Sequence, residues 1–161
     1  MSAQKHNPEN YGIAPHFRHW QGDDAEDYNG PFFFAVSEAD ASGTPDVTHG
    51  VANEVTSVQT AFRVKPQNCN AHKTLHGGVL MMFADYTLCI AAIGGTQEAV
   101  VTVTCNNEFV GPAFEGDLVI GRGEVTRKGG SLIFVRAVIE VNGHTILTSS
   151  GVVKRVKRRE A

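Results

Sequence analysis

The sequence predicts an α+β domain in which a curved antiparallel sheet wraps around one long central helix, preceded by an N-terminal extension. Three observations point there. Residues 77–97 carry a single charged side chain, Asp85, in a run otherwise free of charge. Four strand-like runs follow, separated by Gly, Pro and Asn turn chemistry. Turns that short join antiparallel neighbours, because a parallel crossover needs about a dozen residues or more. A sheet folded over the helix is then the arrangement that buries it.

In chain order, residues 1–12 are polar and expected to be disordered. A short helix is expected over His16 to Trp20, after Pro15, placing Phe17 and Trp20 against the body. Gln21 to Gly30 reads as an acidic loop, Pro31 to Ser37 with its three phenylalanines as a first strand or apolar anchor, and Ala39 to Gly50 as turns. From Val55, the residues Val58, Thr60, Phe62 and Val64 are mostly spaced by two and suggest a strand, which Pro66 ends. The extension is assigned to residues 1–50 and the main domain to 51–161.

The helix follows. Val79, Met82, Phe83, Tyr86, Ile90 and Ile93 recur at three and four, and Leu80, Met81, Ala84, Leu88 and Ala91 leave the other side scarcely more polar. Such a helix is buried on most sides. Asp85 falls roughly 110° from the centre of the apolar face, on a seam between core and a neighbouring surface. Gly94-Gly95 supply the stop. The later strands are expected over Ala99 to Phe109, Leu118 to Arg127, Ser131 to Val141 and Thr145 to Val156, as a four-strand meander.

Composition narrows the function. A net charge of −3 gives no general attraction to nucleic acid, and neither a helix-turn-helix pattern nor a zinc spacing is present. Cys69, Cys89 and Cys105 are odd in number and lack metal-type spacing, so they read as reduced thiols in a cytoplasmic protein. No apolar signal core opens the chain, and Asp85 with a span of about 17 residues argues against a membrane crossing. No metal or cofactor is expected; His49, His72 and His144 read as exposed turn residues.

An ionised side chain in an apolar helix is costly unless something uses it. Asp85 stands after the tripeptide His76-Gly77-Gly78. The run Asn70 to Gly78, then Asp85, then Gly111-Pro112-Ala113 resembles the phenylacetate-type (PaaI-like) acyl-CoA thioesterases of the hotdog superfamily. In that family an Asn stands six residues before the His of His-Gly-Gly and an acidic residue nine after it, and both spacings hold here. The similarity covers about Val55 to Val156. It departs at Lys73, where many relatives carry glycine; a turn needing a positive φ there would strain lysine.

The resemblance implies hydrolysis of a fatty or aromatic acyl thioester of coenzyme A between two subunits, with Asn70 and the helix start from one and Asp85 from the other. Orphan amides at a helix start suit an oxyanion, so Gly77 or Gly78 would hold it. Asp85 would act as general base or nucleophile, Asn70 would hold water or substrate, and Thr102, by alignment, would help place the water. His76, Arg127 and Lys128 are assigned to substrate binding, the two cations facing coenzyme A phosphates together with the tail from Lys154 to Arg159. Each has a plainer reading: Asp85 a satisfied structural carboxylate, Asn70 a local turn cap, the tail a solvated charge run. A hydratase or dehydratase on this fold typically has a His five residues after the acid, where Ile90 stands; a noncatalytic acyl-CoA sensor is the other alternative. A homodimer or a tetramer of two dimers is expected, because a single unit leaves sheet edges and one helix side uncovered. The acyl group is not encoded legibly, since Phe32 to Phe34, Phe17 and Trp20 read equally as lid or core plug.

Overall fold

In the computed structural model, which describes residues 5–37 and 57–157, seven antiparallel strands form one sheet against a single long helix. The elements are β1 (Arg18–His19), α1 (Asp24–Asn29), β2 (Phe33–Ser37), β3 (Ser57–Arg63), α2 (Gly77–Ile93), β4 (Val100–Phe109), β5 (Leu118–Lys128), β6 (Leu132–Val141) and β7 (His144–Arg155). The strand order is β1-β2-β3-β5-β6-β7-β4.

Helix α2 lies against β3, β4, β5, β6 and β7, and Leu80, Phe83, Ala84, Tyr86, Leu88 and Ile90 are all buried there. Its close seat on β5 depends on glycine. A Cβ at Gly123 would lie 2.8 Å from the Ala91 Cβ and 3.0 Å from the Thr87 carbonyl oxygen. One buried polar pair crosses the same contact: Thr87 Oγ1 donates to Phe83 O at 2.8 Å, so Thr60 Oγ1, 2.7 Å away, donates to Thr87. Gly94 ends the helix at φ 59°, the left-handed cap expected of it.

The sheet corrects one expectation. β5, β6 and β7 form a meander through Gly129-Gly130 and through Asn142-Gly143, whose φ values of 50° and 77° suit a tight hairpin turn. β4, however, pairs with β7 and not with β5. The connection from Val110 to Asp117 is too long to force a hairpin, and it passes across the helix start. Val110 and Gly111 donate to Ile146 O, Leu75 donates to Ala113 O, and Val64 N–H reaches Asp117 O, which delivers β5 to β3.

The extension also differs from expectation. Arg18 and His19 pair with Phe34 and Phe33 as a strand, where a helix was expected, although Phe17 is buried and Trp20 rests partly buried on the main core as anticipated. The acidic stretch holds α1, because Asp23 accepts from Ala25 and Glu26 N–H, both at 3.0 Å, and three further carboxylates sit in the first turn at the positive end of the dipole. Residues 8–11 form a 3-10 turn capped by Asn7, and Arg63 Nε donates to Tyr11 O at 2.9 Å, so this part of the N-terminus is ordered. Phe32, Phe33 and Phe34 are buried; Phe32 packs on Phe62, Phe83 and Tyr86, which makes these residues a plug and not a lid. The expected turns over Ala39 to Gly50, the strand start at Val55, and Arg158 and Arg159 lie outside the described residues. No described helix is long and apolar enough to cross a membrane.

Candidate active site

Between Pro66 and Gly77 the chain closes a small loop against the helix start. Cys69 and Leu75 form an isolated antiparallel bridge, and Asn70 N–H donates to Thr74 O at 2.9 Å. The Asn70 side chain closes the same turn: Oδ1 accepts from His72 N–H and Nδ2 donates to Thr74 Oγ1, each at 2.9 Å. Asn70 is thus, within one chain, a turn builder. Lys73 takes φ 64°, the left-handed conformation in which a glycine would be unstrained, and its side chain is exposed. Lys73→Gly is therefore expected to stabilise the fold by about 1 kcal/mol, a rise in melting temperature of roughly 2–4 °C by circular dichroism. An unchanged or lower melting point would mean that lysine carries no strain there.

At the helix start His76 is the N-cap, with φ −64° and ψ 130°, and its Nδ1 accepts from Gly78 N–H at 2.9 Å. Val79 and Leu80 donate to His76 O. Of the two amides considered for an oxyanion, Gly78 is thus engaged, while Gly77 N–H meets no acceptor among the described residues. The bond to Gly78 accounts for the His76 side chain as a helix cap.

Gly77, Met81, Asp85 and Cys89 recur every four residues and form a stripe of α2 that the described sheet leaves uncovered; Met81 is exposed and the other three are half-buried. Beside this stripe runs β4. Thr102 Oγ1 donates to Asp85 Oδ1 at 2.6 Å, and Cys89 Sγ lies 3.4 Å from the same hydroxyl, whose proton is already committed. The order is therefore Cys89 to Thr102 to Asp85, which leaves Asp85 Oδ2 outside the pair. Burial pushes the Cys89 thiol up to about 11, with the Asp85 charge adding to it against the opposing Thr102 bond. Cys89 is then a neutral thiol and not a nucleophile.

Sequence reasoning missed Glu26. Helix α1 is tied to the helix-start loop by buried Asn68, whose Nδ2 donates to Asn29 O at 2.8 Å. Glu26 is half-buried on that helix, with Oε2 buried and unpartnered, and its carboxyl is pushed up to about 8, first by burial and then by Asp23, Asp27 and Asp85. The only available signal was Asp23 three residues before Glu26, the spacing of a helix start. Since the folded pKa lies above the ordinary 4.5, the folded chain keeps a proton that the unfolded chain has lost. Stability contributed by that proton is full below about pH 4.5 and drains away as pH rises to about 8. Glu26→Gln should flatten this slope and melt higher than the native protein in alkaline buffer; parallel melting curves across pH would refute the assignment.

Arg127 and Lys128 lie at the exposed end of β5. Lys128 pairs with Ile133, Ile133 with Val153 and Val153 with Thr102, so Lys128 shares the Thr102 rung at a distance of about 14 Å, three strand spacings. In the tail, Arg155 bridges Glu98 at 2.8 Å and donates to Gly130 O at 3.0 Å, a structural role.

Residues 72–147 match the Thioesterase superfamily. No curated protein matches the chain. Among solved structures, the Escherichia coli PaaI protein from the phenylacetic acid degradation operon is similar at 24% identity and a TM-score of 0.59, over 63% of this chain and 73% of its own. A mutant of the Thermus thermophilus phenylacetic acid degradation protein PaaI matches at 19% identity and a TM-score of 0.62, over 83% and 100%. A hypothetical thioesterase from Streptococcus pneumoniae, solved with coenzyme A, matches at 17% identity and a TM-score of 0.59, over 65% and 81%.

Proposed function

We propose that this chain, whose residues 72–147 carry a Thioesterase superfamily domain on a hotdog fold, hydrolyses acyl-CoA thioesters to the free acid and coenzyme A at a site shared by two subunits. The observation that carries the reading is the uncovered stripe of α2, with an open amide at Gly77 and a carboxylate held by Thr102 at Asp85. Gly77 and Asp85 are eight residues apart, which separates them by about 12 Å along the helix. An oxyanion donor and a base acting on one carbonyl must both come within about 3 Å of the reacting atoms. One chain's pair does not meet that condition, and a second copy with its own stripe alongside would supply the missing group.

Dimerisation through this face has further support. β4 lies at the edge of the sheet, and its Val101 and Val103 are about half exposed, as are Phe109, Val110 and Phe114 beyond the helix start. Two such dimers back to back would make the tetramer. In the site, Asp85 takes a proton from water as the oxygen adds to the thioester carbon, the Gly77 amide holds the carbonyl oxyanion, and collapse expels the coenzyme A thiolate, which recovers the proton. Direct attack by Asp85, through an anhydride that water then opens, uses the same groups. Asn70 and Gly78 shape the loop and helix start at which the carbonyl arrives, while His76, Arg127 and Lys128 supply polar and positive contacts for the phosphates. No metal or cofactor is required, and three free thiols suit a cytoplasmic setting.

The test is thiol release from short, medium, long and aromatic acyl-CoA thioesters. Turnover of at least one class at micromolar protein, by a species that sediments as a dimer or larger, is the expected result. Tight acyl-CoA binding without turnover would replace the enzyme by a sensor, and a fully active monomer would remove the shared site.

A further inference from the structure

We propose that His6, His19 and Asp27 bind one borderline divalent cation of the zinc class, which locks the N-terminal segment onto the domain. Their ligand atoms converge from three separate elements: the segment before the first 3-10 turn, strand β1 and helix α1. His19 Nε2 and Asp27 Oδ1 are 2.7 Å apart, His6 Nε2 and the same oxygen 3.6 Å, and all three atoms fall within 4.8 Å of one another. In a tetrahedral zinc site with bonds of about 2.0–2.1 Å, ligand atoms are about 3.3 Å apart, a spacing that the two measured distances bracket. The His19 side chain is fully buried, and Asp27 and His6 are 10% and 21% exposed.

The hydrogen bonding favours a metal over a proton. His19 Nδ1 lies 2.9 Å from Phe32 O, a group that only accepts, so Nδ1 carries a proton and Nε2 is the nitrogen that faces the cluster. His6 Nδ1 lies 3.1 Å from the Tyr11 hydroxyl, which can accept its proton and so leave Nε2 as the ligand nitrogen. An outer nitrogen oriented by a carbonyl or hydroxyl is the usual support of a metal-binding imidazole. Protonating His19 would satisfy the contact with Asp27 yet leave His6 Nε2 buried and unpartnered, whereas a cation satisfies all three orphaned atoms. Lys5 Nζ takes the other carboxylate oxygen at 2.5 Å, which leaves Oδ1 as the single carboxylate ligand. The ion would fix α1, and with it Glu26.

The full chain, stripped with a chelator, would be titrated with Zn²⁺ against a chromophoric indicator, and with Co²⁺ for its tetrahedral visible bands. One equivalent of zinc is expected to bind, raise the melting temperature and leave the cobalt spectrum of a nitrogen and oxygen site without thiolate charge transfer. His6→Gln and Asp27→Asn should weaken binding by on the order of a hundredfold while melting near the native protein in chelator. His6→Gln alone suffices should Asp27→Asn fail to fold. No stoichiometric uptake, or uptake unchanged in His6→Gln or carried by the cysteines, would overturn the proposal.

Discussion

Asp85→Asn is expected to keep the fold and lose turnover by on the order of a hundredfold or more, as the removal of a general base or nucleophile does. The substitution preserves volume and still accepts the Thr102 hydroxyl, now 2.6 Å from Oδ1, so geometry is held while basicity disappears. With Glu26 and Cys89 both neutral near pH 7, deleting the charge leaves them undisturbed, and the variant should melt near the native temperature. Thr102→Val separates positioning from chemistry. It leaves the carboxylate in place and should lower turnover by roughly tenfold while leaving KM little changed. Comparison of kcat and KM on the best acyl-CoA substrate, beside thermal melts, reads both. Activity equal to the native protein in Asp85→Asn would remove the central claim.

The parts of the fold legible in the sequence were those where one local rule acted alone. Three-and-four spacing set α2, Gly94 its stop, and Asn142-Gly143 the hairpin from β6 to β7. Antiparallel pairing followed from short turns, but the partner of β4 did not, because the connection from Val110 to Asp117 is fixed by tertiary bonds to Ile146, Val64 and Leu75. The extension was hardest to read. His19 becomes strand because its imidazole is bonded to Phe32 O and its backbone pairs with Phe33, contacts thirteen or more residues away that no local window contains. Glu26 was hidden for the same reason, since an acidic run ordinarily faces water and only the docking of α1 through Asn68 buries it. Spacing did place Asp85 on the uncovered seam of its helix. It did not show that Asn70 commits its amide to Thr74 and His72, which is a property of the loop's closure.

Gly77→Pro should abolish the oxyanion donor without breaking the helix. Proline removes the N–H, and Gly77 is the first helical residue, where a helix tolerates and even prefers proline. The residue before a proline must be extended, and His76 already is, at φ −64° and ψ 130°. A Cβ at Gly77 would lie 3.4 Å from the Phe109 ring, an ordinary contact. The variant should therefore melt near the native protein while kcat falls by about 10²–10³, the usual consequence of losing one such donor. Glycine to alanine at the same position keeps the N–H and should keep most activity, which separates the amide from mere crowding. The decisive step is to mix the two inactive proteins. If each site takes its amide from one subunit and its carboxylate from the partner, a mixed dimer of Asp85→Asn and Gly77→Pro has one site with both defects and one with neither. Co-refolding or subunit exchange in equal amounts should then restore about a quarter of native activity, since half of the dimers are mixed and each has one intact site. If both groups came from the same chain, every site in every dimer would lack one of them and the mixture would stay as inactive as its parts.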